Sequence, residues 1–350
     1  HNNTYGQLGD GTNNSRNIFG KVEGLTNVIA ITAESNSLHA LKADGTVWSW
    51  GYNGYGQLGN QSTANSCVPV QALKVPIIMQ MAGGNNHLIM QGADGSVWGV
   101  GYNQLGQLGL SNSTNQTIPQ RMLAGGAKEV ACGANHTMIL KVGGTVWATG
   151  YNGNNSSPVT RYYILGTGTG GTNGYNSSVA SSAGGTDYYL YTLRQVFVGG
   201  TSTYITDGKH LVSAGNVTYI TTSSTGMYTV GLNNYGALFS GNTSITSYST
   251  LKQSGREIIA MAVTRTSNTG AIVDKNGMVY TVGYNKNGEM GNKTTENLLS
   301  PVCISNKKIN VDKKIIDFKL NNETSKINYT ITMKYNLIQD EVPNASCEFT

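Results

Sequence analysis

The chain has 350 residues, only 12% of them charged, with 46 Gly, 20 Tyr and a formal net charge of +5. Its longest cluster of bases (Lys307, Lys308, Lys313, Lys314) is broken by Asp312, so it lacks the dense basic stripe of a nucleic-acid binder, and no apolar run approaches the ~18 residues that cross a bilayer. A coat of Asn, Ser, Thr, Gln and Tyr in place of Lys and Glu fits an extracellular or cell-surface protein.

In chain order, the first element is the loop NNTYGQLGDGT from Asn2, and its relatives follow at GYNGYGQLGN from Gly51 and GYNQLGQLGL from Gly101. A weaker copy, GLNNYGALFSGN, starts at Gly231, and GYNKNGEMGN starts at Gly283. A period of about 50 residues marks stacked copies of one small unit. Within the second copy, Val68-Pro69-Val70, Ile77 to Ala82, His87 to Gln91 and Val97 to Val100 are short β-rich runs separated by Gly, Asn and Asp turns. The Asp94-Gly95 turn predicts a hairpin. About four strands in such a period make one propeller blade.

Trp48, Trp98 and Trp147 stand three residues before the next copy's first Gly, with Tyr228 and Tyr280 in the corresponding places. A large ring at one fixed position predicts a wedge between neighbouring sheets. Leu8, Leu58, Leu108, Leu238 and Met290 anchor the GQLG-type loops. His87 and His136 are equivalent, with Ser37 in the first copy, and are read as hydrogen-bonding a tight turn rather than as metal ligands, because no acidic partner recurs with them.

The order of these motifs (GYNxxGQLG, a Pro-containing strand, a Gly-Gly or Cys-Gly step, His-Leu or His-Thr, then Asp-Gly-x-Val-Trp) resembles the regulator of chromosome condensation repeat over residues 1–150 and 231–305. The resemblance implies an all-β propeller of six or seven four-stranded blades. The family's nuclear member exchanges nucleotide on a small GTPase through a wedge loop, and no segment here matches that wedge.

Between Gly150 and Gly231 the period is exceeded by about 30 residues, Tyr151-Asn152-Gly153 keeps register, and no GQLG anchor follows. Two overlapping stretches, 196–215 and 211–231, compete for the inner hairpin; the preferred reading is one blade with an insertion, about 153–215. A tyrosine-rich excursion on a rigid scaffold suits binding. The expected ligand-binding rings are therefore Tyr162, Tyr163, Tyr175, Tyr188, Tyr189 and Tyr191, together with the loop rings Tyr5, Tyr55 and Tyr235.

After the propeller (1–305), residues 306–350 carry the alternating runs Lys313 to Leu320 and Ile327 to Met333. They resemble the opening strands of bacterial immunoglobulin-like modules, or else close the ring. No GxSxG, HExxH or phosphate-loop motif is present, so neither an enzyme nor a cofactor is expected. The expected function is a secreted or surface-displayed bacterial scaffold whose face loops bind a protein or a glycan. The alternatives are a fibre subunit self-assembling through its C-terminal strands, a secreted enzyme inhibitor of related architecture, and a nucleotide-exchange factor.

Overall fold

The computed structural model describes residues 2–154, 164–167, 177–180, 186–198, 203–223, 226–241, 243, 249–251, 257–266 and 268–304. Sheet 1 holds β1 (Val28–Ala33), β2 (Ser37–Lys42), β3 (Val47–Gly51) and β4 (Ser66–Gln71), and sheet 2 holds β5 (Ile78–Gly83), β6 (His87–Gly92), β7 (Val97–Gly101) and β8 (Gln116–Leu123). Sheet 3 holds β9 (Ala127–Cys132), β10 (His136–Lys141), β11 (Val146–Asn154), β12 (Ser177–Ala180) and β13 (Thr186–Gln195). Sheet 4 holds β14 (Gly208–Ala214), β15 (Val217–Thr222), β16 (Met227–Gly231) and β17 (Ser249–Leu251), and sheet 5 holds β18 (Ile258–Val263), β19 (Thr269–Asp274), β20 (Val279–Gly283) and β21 (Leu298–Cys303). All five are antiparallel; sheets 1, 2, 4 and 5 are meanders, while in sheet 3 the order is β9-β10-β11-β13-β12, and the described residues contain strands and no helix.

The expected fold is an all-β propeller, and five such sheets lie among the described residues where six or seven blades were expected. The loop from Asn2 has the sequence of a connection between third and fourth strands, but among the described residues it has no sheet of its own and lies against β4, with Gly11 N–H donating to the Cys67 carbonyl (2.9 Å). Residues 306–350, where further strands are expected, lie outside the described residues.

Local chemistry repeats from sheet to sheet. At the hairpin turns, Asp44 Oδ1 accepts from Thr46 N–H and Oγ1, and Asp94 Oδ1 accepts from Ser96 in the same way. Those side-chain hydrogen bonds hold both carboxyls below the usual carboxylate range. The Trp48, Trp98 and Trp147 indoles donate to the hydroxyls of Thr46, Ser96 and Thr145. Trp98 packs on the apolar cluster of Leu41, Val47, Ile78 and Leu88 between sheets 1 and 2, and Trp147 on that of Ile89, Val97, Val130 and Ile139 between sheets 2 and 3. The core is thus a series of seams between neighbouring sheets, filled mainly by Leu, Ile, Val and Met, with Tyr219, Phe239 and Tyr280 added between sheets 4 and 5.

The two histidines tie the seams rather than their own turns. His87 Nε2 meets Thr137 Oγ1 in sheet 3 at 3.3 Å, and His136 Nε2 meets Ser213 Oγ in sheet 4 at 2.9 Å. Each imidazole folds over a glycine (Gly84, Gly133) where a Cβ would strike the ring. Burial lowers their pKa values to about 3 and about 4, so both are neutral.

The long interval after Gly150 is accommodated inside sheet 3. There β13 takes the fourth-strand position beside β11 and β12 adds a fifth strand outside it. The inner hairpin of sheet 4 is β14–β15, which draws on both competing stretches: β14 lies in the first, and β15 with β16, running into Gly231, lies in the second.

Candidate functional site

The candidate site is built from the connections between third and fourth strands, which all leave their sheets at the same end. A glycine with positive φ ends the third strand in sheets 1, 2, 4 and 5 and lies within β11 in sheet 3: Gly51 (100°), Gly101 (100°), Gly150 (108°), Gly231 (128°) and Gly283 (112°). A Cβ there would collide with the carbonyl of Asn36, Asn86, Asn135, Asn216 or Asn268, respectively. Glycine is therefore required, and the next residue's N–H caps that same carbonyl, as Tyr52 N–H does on Asn36 at 2.9 Å.

Two residues on sits a fully buried asparagine that organises the loop. Asn53 Oδ1 accepts from Leu58 N–H at 2.9 Å while Nδ2 donates to the carbonyls of Ser62 and Ala64. The acceptor bond recurs at Asn3 with Leu8, Asn103 with Leu108, Asn233 with Leu238 and Asn285 with Met290. In sheet 3 the partner of Asn152 is Leu165, at 3.0 Å. Ile164-Leu165-Gly166 therefore supplies the anchor whose absence was expected from the sequence; Leu165 is fully buried and Gly166 has φ +68°. Gln7, Gln57 and Gln107 accept through Oε1 from the N–H of Tyr5, Tyr55 and Leu105, which fixes the loop tips.

These loops hold a row of half-buried tyrosines in edge-to-face contact. Ring centroids are 5.0 Å apart for Tyr5–Tyr52, 5.9 Å for Tyr52–Tyr55 and 4.9 Å for Tyr55–Tyr102, so every second contact crosses from one repeat to the next. In the third loop Leu105 stands where Tyr55 stands in the second, and Tyr191 of β13 fills in. The Tyr191 hydroxyl donates to the Gln104 carbonyl and the Tyr102 hydroxyl to Gln104 Oε1. Tyr189 and Tyr151 continue the row at 6.4 and 6.0 Å. Burial, followed by the neighbouring Tyr55, raises the Tyr52 and Tyr102 pKa values, so their hydroxyls keep their protons at neutral pH.

Of the expected rings, the structure brings Tyr5, Tyr55 and Tyr191 into one arc over sheets 1 to 3. Tyr188 is half-buried in β13, and Tyr189 is buried at 7% exposure, a bridge between rings more than a contact surface. Tyr235 stands apart, paired with Tyr284 at 5.1 Å, while Tyr162, Tyr163 and Tyr175 lie outside the described residues. Sequence reasoning missed Tyr52, Tyr102 and Tyr151. Their recurrence directly after the strand-ending glycine was the available signal.

A buried chain of polar groups runs from Glu34 Oε1 to His39 Nε2 (3.3 Å) and from His39 Nδ1 to Ser49 Oγ (2.8 Å). The order resembles a hydrolytic triad, but the Ser49 hydroxyl is sealed between sheets with no exposed surface, so it does not meet a substrate. Among the described residues no group of three or more His, Cys, Asp or Glu is placed to hold a metal ion, and no helix is long and apolar enough to cross a membrane.

The regulator of chromosome condensation (RCC1) repeat matches residues 44–90, 94–140 and 276–319, and a second form of the same repeat matches 127–156. Regulator of chromosome condensation repeats are present over those residues. Its fold is similar to that of human WBSCR16 (TM-score 0.60, 16% identity, 79% of this chain and 67% of that one). It is also similar to Prp20p from Saccharomyces cerevisiae (TM-score 0.59, 15% identity, 80% and 63%) and to yeast RCC1 (Prp20) bound to Kap60 (TM-score 0.56, 18% identity, 80% and 64%). The chain thus spans about two thirds of the length of these structures. No curated protein matches the sequence.

Proposed function

We propose that this chain is a non-enzymatic binding scaffold of the extracellular space or cell surface, and that it takes a protein or glycan segment along the tyrosine arc of sheets 1 to 3. The arc itself carries the reading. Six of its rings are half-buried, held by buried Asn and Gln side chains, and bordered by Asn, Gln, Thr and Gly instead of charge. Tyrosine in that setting offers apolar area and a hydroxyl with little conformational freedom to lose on binding. Prp20p, which shares the fold, has binding properties toward Gsp1p and histones and has been solved with Kap60, which supports protein binding as a use of this architecture. The sparse charge supports the extracellular placement.

The test is a screen of peptide and glycan arrays with the full chain, followed by affinity measurement on each hit with Tyr55→Ala and Tyr102→Ala. Each substitution is expected to weaken binding by about tenfold or more, as central aromatic contacts do, while the chain stays folded and loses only the modest stability of one ring contact. Equal affinity for the wild type and both variants would remove the arc from the binding face.

A further inference from the structure

At the end of the molecule that carries the tyrosine arc, the turns between first and second strands lie directly against it. The N–H groups of Tyr52, Tyr102 and Tyr151 donate to the carbonyls of Asn36, Asn86 and Asn135 in these turns, at 2.9, 2.8 and 2.9 Å. The turns are also linked from sheet to sheet, Ser35 N–H donating to the Asn85 carbonyl and Asn85 N–H to that of Ala134. In sheets 1, 2 and 3 such a turn has three residues (34–36, 84–86 and 133–135), whereas five residues, 264–268, part β18 from β19 in sheet 5.

The longer turn of sheet 5 reaches across to sheets 1 and 2. Arg265 Nη2 lies 2.9 Å from Ser35 Oγ, 3.0 Å from the Gly84 carbonyl and 2.9 Å from Asn85 Oδ1. All three acceptors are neutral and all three meet the same nitrogen, so Nη1 and Nε have no acceptor and the guanidinium no ion pair among the described residues. Partial burial lowers the Arg265 pKa, a sign that its charge is incompletely solvated, while Glu34 acts in the opposite sense. Over sheets 1 to 3 these turns and the loops 52–65 and 102–115 carry one charged residue, Glu34, and it is buried against His39. The half-buried side-chain amides of Asn36, Asn86 and Asn135 have no partner among the described residues.

We propose that Arg265 is a carboxylate subsite of the tyrosine face, and that the ligand taken there is a glycan carrying an acidic sugar. The inference rests on the arc being the binding face and names the class of ligand it takes. The sugar carboxylate accepts from the N–H groups left over on Nη1 and Nε, a charge-assisted contact on a face otherwise without exposed charge. A glycan is favoured over a protein segment because none of the large exposed apolar side chains among the described residues lies in these turns and loops. An apolar anchor therefore has nothing to pack against, whereas sugar hydroxyls match asparagine amides that each offer a donor and an acceptor.

The test sets the full chain against an array in which each uronate- or sialate-bearing glycan is paired with a twin whose carboxyl is reduced to the alcohol, beside peptides rich in Asp and Glu. The wild type should bind the carboxylate form about tenfold or more tightly than its twin, by a margin that shrinks as salt rises. Because this comparison needs no substitution, it stands even if loss of the Arg265 tie loosens the array. Arg265→Gln should erase the margin, while Lys286→Gln, a cation at the same end that pairs with Glu296, should leave it intact. Twins bound equally, or a margin that survives Arg265→Gln, would overturn the subsite and, with both twins weakened by Tyr55→Ala, leave the arc standing. A margin lost in Arg265→Gln with affinity untouched by Tyr55→Ala would instead overturn the arc. Failure of every acidic glycan to bind would overturn the proposal, in favour of a protein segment where acidic peptides bind through Arg265.

Discussion

Across sheets 1 to 3 a ring from one loop reaches a tyrosine of the next, whereas Leu232 of sheet 4 stands where Tyr52 and Tyr102 stand and the row of rings stops. Beneath that difference the loop framework is the same: Asn233 and Asn285 hold Leu238 and Met290 just as Asn53 holds Leu58. The buried framework and the displayed surface therefore vary separately. The framework is needed wherever a sheet must be closed, and the tyrosines are kept where a continuous aromatic surface exists.

The comparison is sharpest at the loop anchors, where the largest effects are expected. Leu58→Ala and Leu165→Ala each empty a fully buried site and should each lower stability by about 3–4 kcal/mol in denaturant unfolding. Equal losses would make Leu165 the true counterpart of Leu58. A loss at Leu165 below about a third of that at Leu58 would show that the delayed anchor only fills space. Next in size, Asn53→Ala strands the Leu58 N–H and two carbonyls and should cost ~3 kcal/mol. Asn152→Ala should cost a comparable amount if the detour before Leu165 restores the same device.

Acid should loosen sheets 2 and 3 before sheets 4 and 5, because Val217 and Thr269 occupy the histidine position in the latter pair. His87 and His136 have folded-state pKa values of about 3 and about 4 against an ordinary 6.5, so the unfolded chain binds more protons between those limits. Their contribution is complete above pH 6.5 and is lost as the pH falls toward about 4 for His136 and about 3 for His87, at up to ~1.4 kcal/mol per pH unit for each histidine. Exchange at pH 4.5 should show β6 and β10 opening ahead of β15 and β19, and His87→Gln should remove one proton from the slope. Simultaneous opening of all four strands would argue against the histidines as the acid-sensitive clamp. The smallest effect is expected at the isolated pair, where Tyr284→Ala should change ligand affinity less than about twofold, far below the arc variants.

Much of the framework was legible in the sequence. The recurring Gly-Tyr-Asn and Gln-Leu-Gly elements mark the strand end and the loop anchor, because a Cβ would strike the Asn36-type carbonyl and because Leu58, Leu108, Leu238 and Met290 are buried below the asparagines. The Leu165 anchor was hidden because its hydrogen bond to Asn152 spans a longer stretch and no Gln precedes it. The arc was hidden for another reason: Tyr55 meets Tyr102 across a sheet boundary, and Tyr191 enters from the far side of the insertion, so no single repeat contains the surface. The partners of His87 and His136 lie in the following sheet, which a reading within one repeat assigns to a local turn.

The most direct test of the tyrosine arc as the binding face is a hydrogen-exchange footprint of the full chain with and without a bound array hit. Protection of peptides containing Tyr52 to Tyr55, Tyr102 to Gln104 and Tyr188 to Tyr191, with the Tyr235 and Tyr284 peptides unchanged, is the expected result. A footprint on the inner hairpin loops around Asn36, Asn86 and Arg265, with the tyrosine peptides unaffected, would contradict it.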